Sequence, residues 1–372
     1  MDEKTLRAWA EIDLGALTDN LRLARKLTGS KVMCVIKGDA HGHGAVSCGL
    51  ALEKNGADAF GVACLTEGIA LRKGGIRKPI LVLGWTPAEF APQLAEYDLT
   101  QSVLDEDYAR ELSAVGVPLE VHAKLDTGMS RTGIQAQTDP EAAAQAVLRI
   151  SQLPNLHLTG VFTHFAAADM PEKDDFTHWQ LTNYTKTLDA LKTLGLEGLV
   201  CHAGNSAVIM HHPEAHFDMV RMGVMMYGLY PDCVARPDGP LKPVMALKAR
   251  VAQVKWLPAG ASISYGCTVQ TTRPTRIAVV SAGYADAYPR SLSNRGAYAV
   301  IGGAKCPQIG RICMDLCMFD ITDAPAEIER GDEVILYGKG GMPLEEVARL
   351  AGTINCEPTS LLTQRVAKVF LE

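Results

Sequence analysis

Eight β-rich runs alternate with amphipathic helical stretches over the first two thirds of the chain, and this alternation constrains the fold most. The runs lie at residues 31–36, 58–63, 79–83, 99–103, 119–124, 158–163, 198–202 and 219–223. Helical patterns lie between them, for example at 16–27, 105–116 and 175–195. Eight strand–helix repeats are the number expected of a (β/α)₈ barrel. A doubly wound open sheet shows the same alternation, although no GxGxxG follows the first run.

The pattern changes around residues 229–243, where prolines, a glycine and mixed charges indicate a linker. β-rich, glycine-punctuated segments follow at 244–257, 275–285, 297–310, 317–322 and 332–338. A helical pattern at 343–352 precedes the last segment, 359–370. We therefore expect an α/β protein with a barrel at residues 1–235. A mostly antiparallel β domain with a small helical tail is expected at residues 236–372.

Composition favours a cytoplasmic protein without nucleic-acid or membrane partners. The net charge is −6, from 36 Lys+Arg and 42 Asp+Glu, so no basic excess is available for phosphate backbones or anionic lipids. The ten cysteines are scattered without a CxxC, as expected of free thiols in a reducing compartment. The charged amino terminus is not a signal peptide, and no apolar run approaches the roughly 18 residues of a membrane span.

In a (β/α)₈ barrel the reacting groups lie at the carboxyl ends of the strands. Those ends carry Lys37 after the first run, Lys124 at the end of the fifth, His164 after the sixth, Gly204–Ser206 after the seventh and Arg221 in the eighth. A glycine turn that enters a helix with a serine suits a phosphate. A lysine facing a phosphate cradle suggests pyridoxal 5′-phosphate (PLP), held as a Schiff base on the lysine. The alternative for Lys37 is a solvated lysine at a turn.

His41 and His43 form a His-Gly-His pair that could ligate zinc. The pair lies in a glycine-rich loop without an obvious third ligand nearby. A histidine edge that contacts a cofactor or anchors the loop is the favoured interpretation, and we expect no metal.

Eight segments together carry a family resemblance. They are VIKGDAHGHGA, KLDTGMSRTG, VFTHFAAAD, HAGNSA, MVRMGVMMYGLYP, ISYG, GYADAYPR and GRICMDLCMFD. Taken in this order across both expected domains, they resemble the PLP-dependent alanine racemases, including the related serine/alanine racemases. The resemblance implies a head-to-tail homodimer that racemises a small amino acid and supplies D-alanine for cell-wall precursors. Lys37 would carry PLP and act as base on one face of the substrate, and Tyr265 of the other subunit would act on the opposite face.

The resemblance also implies roles for further residues. Arg221 would bind the pyridine nitrogen, His164 would orient that arginine, and Arg131 would steady the cofactor's phenolic oxygen and the substrate. Lys124 matches a position that is carbamylated in many members. Other residues expected at the cofactor are Asn205, Ser206, Gly223, Val224, His41 and Cys356. Met314, through its backbone, Asp315 and Tyr284 are expected at the substrate.

Two positions depart from the family pattern. His41 and Cys356 stand where the family usually has tyrosine, near the cofactor phosphate and the substrate entrance. We hypothesise a more open pocket that also accepts serine; the alternative is drift compensated nearby. Serine-type relatives linked to glycopeptide resistance often carry a membrane domain ahead of the racemase. None precedes this sequence, so we expect a stand-alone enzyme or a trimmed chain.

Two other functions share parts of the resemblance. A non-enzymatic PLP-binding protein has the same barrel but lacks the C-terminal β domain, so ISYG and CMD argue against it. A PLP decarboxylase has the same two-domain architecture, but its features for a basic substrate are not found here.

Overall fold

The computed structural model describes residues 5–325 and 327–372. Its contacts divide the chain into two compact units. The barrel unit comprises Asn20–Ala40 and Ala45–Met226. The C-terminal unit comprises the chain up to Asp19, His41–Gly44 and Tyr227–Glu372.

The first strand, β1 (Ala8–Asp13), belongs to the C-terminal unit, and the next nine strands belong to the barrel unit. These are β2 (Lys31–Val35), β3 (Ala59–Val62), β4 (Ile80–Val82), β5 (Thr100–Val103), β6 (Leu119–Asp126), β7 (Ile134–Gln135), β8 (Leu156–Phe162), β9 (Val200–His202) and β10 (Met219–Met222). Eight of them pair in the order β10-β2-β3-β4-β5-β6-β8-β9, and every one of these pairs is parallel. The short β7 pairs only with β6 in this sheet.

The two ends of this sheet meet, so the sheet closes into a barrel. The Asp218 backbone N–H, just before β10, donates to the Cys201 carbonyl of β9 at 3.1 Å. The Arg221 N–H of β10 donates to the Gly204 carbonyl, just after β9, at 2.8 Å. The predicted (β/α)₈ barrel is confirmed, and the open-sheet alternative is wrong. Each of the eight predicted runs overlaps one of the barrel strands.

The helices α1–α9 are α1 (Leu14–Thr28), α2 (Lys37–His41), α3 (Ala45–Lys54), α4 (Leu65–Lys73), α5 (Ala91–Glu96), α6 (Glu106–Ala114), α7 (Pro140–Ser151), α8 (Asp174–Thr193) and α9 (Ser206–His211). Side-chain caps explain where two of them begin. Asp105 accepts a hydrogen bond from the Tyr108 N–H at 2.8 Å, and Asp139 accepts one from the Ala142 N–H at 2.8 Å. None of the helices in the described ranges combines the length and the apolar character that a membrane crossing requires.

The C-terminal unit is built around β11 (Met245–Leu257), which pairs antiparallel with three strands. The later elements are β12 (Ser262–Ile263), β13 (Val269–Gln270), β14 (Thr275–Val280), β15 (Tyr298–Ile301), β16 (Ala304–Pro307), β17 (Cys317–Asp320), β18 (Glu333–Gly338), α10 (Leu344–Ala351), α11 (Glu357–Ser360) and β19 (Ala367–Leu371). β11 pairs with β1, β14 and β18, while β1 also pairs parallel with β19. The predicted mostly antiparallel domain is confirmed.

Two strands of this unit depart from the sequence analysis. β1 was not predicted, and β19 forms where a helical tail was expected. Charges interrupt β1, but both are paired in the fold: Glu11 contacts Lys248 at 2.9 Å, and Asp13 contacts Lys339 at 2.6 Å. The charges that obscured the strand in the sequence are therefore satisfied by lysines from other strands or their ends.

Candidate active site

Lys37 directly follows the fully buried Ile36 and opens a left-handed turn. The backbone φ angles of Gly38, Asp39 and Ala40 are 61°, 52° and 56°, and that of His41 is 51°. A left-handed helical conformation costs roughly 1–2 kcal/mol for each residue that carries a Cβ. Backbone strain is therefore concentrated immediately after the lysine predicted to react, as is common at functional sites.

A glutamate that the sequence analysis missed fixes this turn to the barrel. The Glu67 carboxylate, on α4, accepts hydrogen bonds from the Gly38 N–H and the Ala63 N–H, each at 2.7 Å. Asp39 adds a second restraint, because its carboxylate accepts from the Ala45 N–H at 2.7 Å. The turn that follows Lys37 is thus held by two carboxylates.

Arg221 is buried at the end of β10 and is held by carbonyls and histidines. Its guanidinium donates to the carbonyls of Thr163 at 2.6 Å, His202 at 2.9 Å and Ala203 at 3.0 Å. It also contacts His164 Nδ1 at 3.0 Å and His202 Nδ1 at 3.1 Å. Because arginine only donates, both of these ring nitrogens accept. Burial lowers the pKa of Arg221 to about 10, which leaves it charged at neutral pH.

The histidine network continues one step further, to His122 on β6. His122 Nδ1 lies 2.9 Å from His202 Nε2. Since His202 Nδ1 accepts from Arg221, its Nε2 carries the proton and donates to His122. Burial, and then the Arg221 charge, lower the pKa of His122 to about 4. Burial and the same charge also lower the pKa values of His164 and His202 well below the ordinary value, so all three rings are neutral at pH 7.

The sequence analysis named Arg221 and His164 but missed His122 and His202. The sequence did contain a signal for these two residues, because a histidine lies within each of two predicted barrel strands. Gly160, on the intervening β8, makes room for the network. A Cβ at Gly160 would lie 2.6–2.7 Å from three atoms of the His122 ring.

The predicted phosphate cradle is brought together between α9 and the end of β10. Ser206 Oγ accepts from the backbone N–H groups of Gly223 at 3.0 Å and Met225 at 3.3 Å. Asn205 caps α9 by accepting from the Val208 N–H at 3.1 Å. The nearest atom to a Cβ at Gly223 would be Ser206 Oγ, at 3.6 Å, so the space beside this glycine is open. Val224 follows and begins a 3₁₀ turn over Val224–Tyr227.

Lys124, on β6, is only 6% exposed and contacts the Thr132 hydroxyl. Burial, and then the positive charges of Arg131, Arg221 and Lys37, together lower its pKa to about 8, with a partial offset from Asp126. The same cations also lower the pKa of His164. The structure therefore gathers the predicted barrel residues Lys37, Lys124, Arg131, His164 and Arg221 into one cationic cluster, which is suited to an anionic ligand.

Tyr265 lies at an exposed, strained turn of the C-terminal unit. It is 67% exposed, between Ser264 at φ 62° and Gly266 at φ 75°. Ser264 Oγ donates to the Arg311 carbonyl at 2.6 Å. A Cβ at Gly266 would lie 2.9 Å from Arg311 Nη1, so only glycine fits there without displacing the arginine.

Tyr284 and Met314 lie on the same exposed surface. Tyr284 N–H donates to the Cys313 carbonyl at 3.0 Å, and Cys313 Sγ lies 3.6 Å from the Ser264 hydroxyl beside Tyr265. Asp315 is held by Arg365 at 2.6 Å. Four predicted residues, Tyr265, Tyr284, Met314 and Asp315, therefore lie close together in this unit.

Arg365 was missed by the sequence analysis. It also pairs with the buried Asp286 at 2.8 Å, and Asp286 in turn pairs with Arg7 at 2.6 Å. This ion-pair network anchors the segment that carries Asp315.

His41 and Cys356, the two departures from the family pattern, lie on adjoining segments of the C-terminal unit. A Cβ at Gly42 would lie 1.8 Å from the Thr359 carbonyl, which shows how closely the two segments approach. Thr359 Oγ1 in turn donates to the Cys356 carbonyl at 3.1 Å. His43 is fully buried and stacks on Tyr227 at 4.3 Å between ring centroids, while His41 lies 4.9 Å from the same ring. Both rings pack on one tyrosine, as expected of residues that anchor the loop.

Two family models match the chain. Residues 12–231 match the N-terminal domain of alanine racemase, and residues 244–370 match its C-terminal domain. This chain belongs to the alanine racemase family. It is therefore an enzyme of the isomerase class, an amino-acid racemase.

Relatives and solved structures agree with this assignment. The chain is 42% identical to an alanine racemase of Desulfosudis oleivorans and 40% identical to that of Clostridium novyi, covering 98% of this chain and 96% and 95% of those proteins. The structure of alanine racemase from Streptomyces coelicolor matches with a TM-score of 0.92 at 36% identity, covering 100% of both chains. That of Bacillus anthracis, with bound L-Ala-P, matches with a TM-score of 0.89 at 32% identity, covering 99% of this chain and 95% of that one.

Proposed function

We propose that this member of the alanine racemase family is a PLP-dependent, two-base racemase that interconverts L- and D-alanine. The observation that carries the proposal is the buried Arg221 within the cationic cluster. Three carbonyls and two neutral histidines accept hydrogen bonds from its guanidinium, which remains charged at neutral pH. An amino-acid substrate and a phosphorylated cofactor are both anions that such a cluster would attract.

The residues present fit PLP. The Ser206 hydroxyl and the open space at Gly223 suit its phosphate, with Asn205 and Val224 alongside. Lys37 supplies an amine for the cofactor aldehyde at the end of a barrel strand. When bound, PLP makes the Cα–H of an amino acid more acidic by delocalising the electron pair left on Cα.

Arg221 would donate a hydrogen bond to the pyridine nitrogen of the cofactor. Its pKa of about 10 keeps the proton on the guanidinium at neutral pH, so the ring nitrogen stays unprotonated. A neutral ring withdraws electrons weakly, which restricts the enzyme to proton exchange at Cα. His164 and His202 would position the arginine, because both accept from it.

Two residues of this chain would exchange the Cα proton. Inversion requires a proton to leave one face of Cα and another to arrive on the opposite face. We assign these roles to Lys37 Nζ and the Tyr265 phenolic oxygen. Tyrosine is a weak base because its ordinary pKa is about 10, so it needs a cationic neighbourhood. The exposed Tyr265 of one subunit would obtain it by facing the cationic cluster of another, which makes the enzyme a homodimer with shared sites.

Arg131 and the Met314 backbone would bind the substrate carboxylate, with Asp315 and Tyr284 beside it. The ion pair between Asp315 and Arg365 neutralises a carboxylate that would otherwise repel the anionic substrate.

The test is hydrogen exchange at Cα in D₂O with L-alanine and D-alanine, on wild type and Tyr265→Phe, with Tyr298→Phe as a matched tyrosine control. We expect wild type and control to exchange and invert both enantiomers. Tyr265→Phe should lose inversion but retain exchange of the enantiomer that faces Lys37. Unimpaired racemisation by Tyr265→Phe would refute the assignment of the second base.

We further propose that the pocket admits serine, because His41 and Cys356 replace two bulky tyrosines on adjoining segments. The ratio of kcat/KM for L-alanine to that for L-serine should rise in the double variant His41→Tyr/Cys356→Tyr. A high ratio in wild type that the double variant leaves unchanged would contradict this proposal.

Lys124 is proposed to be carbamylated. Its lowered pKa provides free amine, which adds CO₂ to give a carbamate and release a proton. Carbamylation would replace the positive charge of Lys124 with a negative charge, and the carbamate would pair with Arg131. Carbon-13 NMR of enzyme equilibrated with labelled bicarbonate should show one carbamate signal that Lys124→Gln abolishes; the same spectrum for both proteins would contradict it.

The physiological role follows from the proposed reaction. We propose that the enzyme supplies D-alanine for cell-wall precursors in the cytoplasm. None of the ten cysteines forms a disulfide, which supports a reducing compartment. Deleting the gene should impose a requirement for D-alanine that wild type restores and Lys37→Ala does not; growth of the deletion strain without D-alanine would contradict this role, provided no second racemase is present.

A further inference from the structure

We propose that the barrel unit binds a divalent transition metal of the zinc class through His178, His212 and Glu214. The ligand atoms that these three residues offer all lie within 4.8 Å of one another. None of them belongs to the site described above, and the sequence analysis expected no metal.

The distances suit a tetrahedral ion. Glu214 Oε1 lies 3.6 Å from His178 Nε2 and 3.4 Å from His212 Nδ1. Bonds of about 2.0–2.1 Å to a tetrahedral zinc place neighbouring ligand atoms about 3.3–3.4 Å apart. Each imidazole nitrogen therefore lies close to the separation from the carboxylate oxygen that one tetrahedral ion requires.

Backbone carbonyls orient both rings for metal binding. His178 Nδ1 lies 2.8 Å from the Asp174 carbonyl, and His212 Nε2 lies 3.2 Å from the Ala168 carbonyl. A carbonyl only accepts, so each of these nitrogens carries a hydrogen. The other nitrogens, His178 Nε2 and His212 Nδ1, face Glu214. Metal-ligating histidines usually have such an outer hydrogen bond from the second nitrogen.

The lone pairs of two unprotonated rings would repel the carboxylate oxygen that they face, so the arrangement favours a positive charge between them. A bound metal ion supplies that charge. Protonation of one or both histidines, giving an ion pair with Glu214, is the competing explanation. The carbonyl-fixed rings and the converging geometry favour the metal, and metal binding separates the two explanations.

The site would connect α8 to the segment that follows α9. His178 is on α8, whereas His212 directly follows α9 and Glu214 lies in the next turn. His212 is buried, while the side chains of His178 and Glu214 are 59% and 44% exposed. A fourth position is thus open to water. Because Asn205 and Ser206 begin α9, a metal at its other end would also restrain the helix that carries the cradle.

The test is equilibrium dialysis of chelator-treated holoenzyme against Zn²⁺. The proteins compared are wild type, His178→Gln, Glu214→Gln and the control His211→Gln, which replaces an exposed histidine next to the site. His212 is left intact because it is buried. Cysteines also bind zinc, but all four proteins have the same cysteines. The result is therefore the difference in zinc binding between them.

We expect wild type and His211→Gln to bind one more Zn²⁺ per chain than the two site variants, or to bind it at least tenfold more tightly. Zinc should also raise the melting temperature of wild type and control more than that of the variants. Equal stoichiometry and affinity in all four proteins would overturn the proposal, and so would the absence of zinc binding by wild type. Neither measurement depends on racemase activity, so this proposal and the proposed function can fail separately.

Discussion

At the scale of single residues, the most unusual group is Arg221, because its charge is held among histidines instead of carboxylates. Its hydrogen-bond partners are three carbonyls, His164 and His202. A carboxylate would neutralise the arginine and compete for its protons. Neutral histidines and carbonyls hold the guanidinium without reducing the positive field in the cluster.

This arrangement makes the protein sensitive to acid through His122. Its pKa is about 4 in the fold and about 6.5 in an unfolded chain, so the unfolded state binds more protons between these values. The stability from neutral His122 is complete above pH 6.5 and is lost as the pH falls toward 4. That contribution is about 3 kcal/mol. His122→Asn keeps an acceptor for His202. Its free energy of unfolding should fall less than that of wild type as the pH decreases from 6.5 toward 4.

Urea unfolding at fixed protein concentration from pH 4.5 to 7 measures this difference. His157→Asn, which changes an exposed histidine on β8, is the control and should follow wild type. Parallel curves for wild type and His122→Asn would contradict the prediction.

Gly223 offers a separate test of the phosphate cradle. A Cβ at this position would meet Ser206 Oγ at an ordinary 3.6 Å, so Gly223→Ala should change the free energy of unfolding by less than about 0.5 kcal/mol. The methyl group would occupy space that we assign to the phosphate. We expect PLP affinity, measured by equilibrium dialysis, to fall at least tenfold, or about 1.4 kcal/mol. Unchanged affinity would place the phosphate elsewhere.

At the scale of elements, the left-handed turn after Lys37 is the segment where backbone strain should be measurable. Ala40 and Ala144, the latter in α7, are both fully buried alanines, but only Ala40 has a positive φ. Glycine at either position loses a buried methyl group, worth about 0.8 kcal/mol. Ala144→Gly should also lose about 1 kcal/mol of helix propensity. Ala40→Gly should instead recover roughly 1–2 kcal/mol of strain.

We therefore expect Ala40→Gly to range from neutral to stabilised by about 1 kcal/mol, and Ala144→Gly to be destabilised by about 2 kcal/mol. Urea unfolding of the two variants beside wild type measures the contrast. Equal destabilisation would show that the turn is not strained.

Elements also show what a sequence can predict. All eight barrel strands were predicted, because a parallel strand buried on both faces is a continuous apolar run. β1 was not, because Glu11 and Asp13 are satisfied by Lys248 and Lys339, which lie more than two hundred residues later. The amino acids around a charge do not reveal a partner so distant.

The same limit applies to the site. Lys37, Lys124, His164 and Arg221 could be predicted because strand ends are where barrel enzymes place reacting groups. His122 and His202 lie within strands, and their contact depends on the missing side chain of Gly160. Glu67 accepts hydrogen bonds from backbone N–H groups, and no sequence pattern indicates which side chain will bind them.

At the scale of the whole molecule, the proposed sharing of sites between subunits can be tested by mixing two inactive proteins. Lys37→Ala and Tyr265→Phe each disable both sites of a homodimer. Unfolded together and refolded, they would form mixed dimers in which one site has both wild-type residues. Random pairing should then restore about one quarter of wild-type activity.

The controls are each variant refolded alone and the double variant mixed with either single variant, all of which should stay inactive. Recovery of activity in the mixture of Lys37→Ala and Tyr265→Phe, with no recovery in the controls, would support shared sites. No recovery, with mixed dimers shown to form by differential tagging, would mean that Lys37 and Tyr265 act within one chain.

The pairing of β1 with β11 and β19 has a consequence for synthesis on the ribosome. The strand leaves the exit tunnel long before its partners do, because the residues it pairs with begin only at Met245 and end at Leu371. At roughly 5–20 residues per second, β1 waits on the order of 10–50 s for its first partner. Throughout that interval Trp9 and Ile12, which are almost completely buried in the finished fold, face solvent. Nascent β1 is thus a natural binding segment for a chaperone that recognises short apolar strands, long before the residue that closes the sheet has been made.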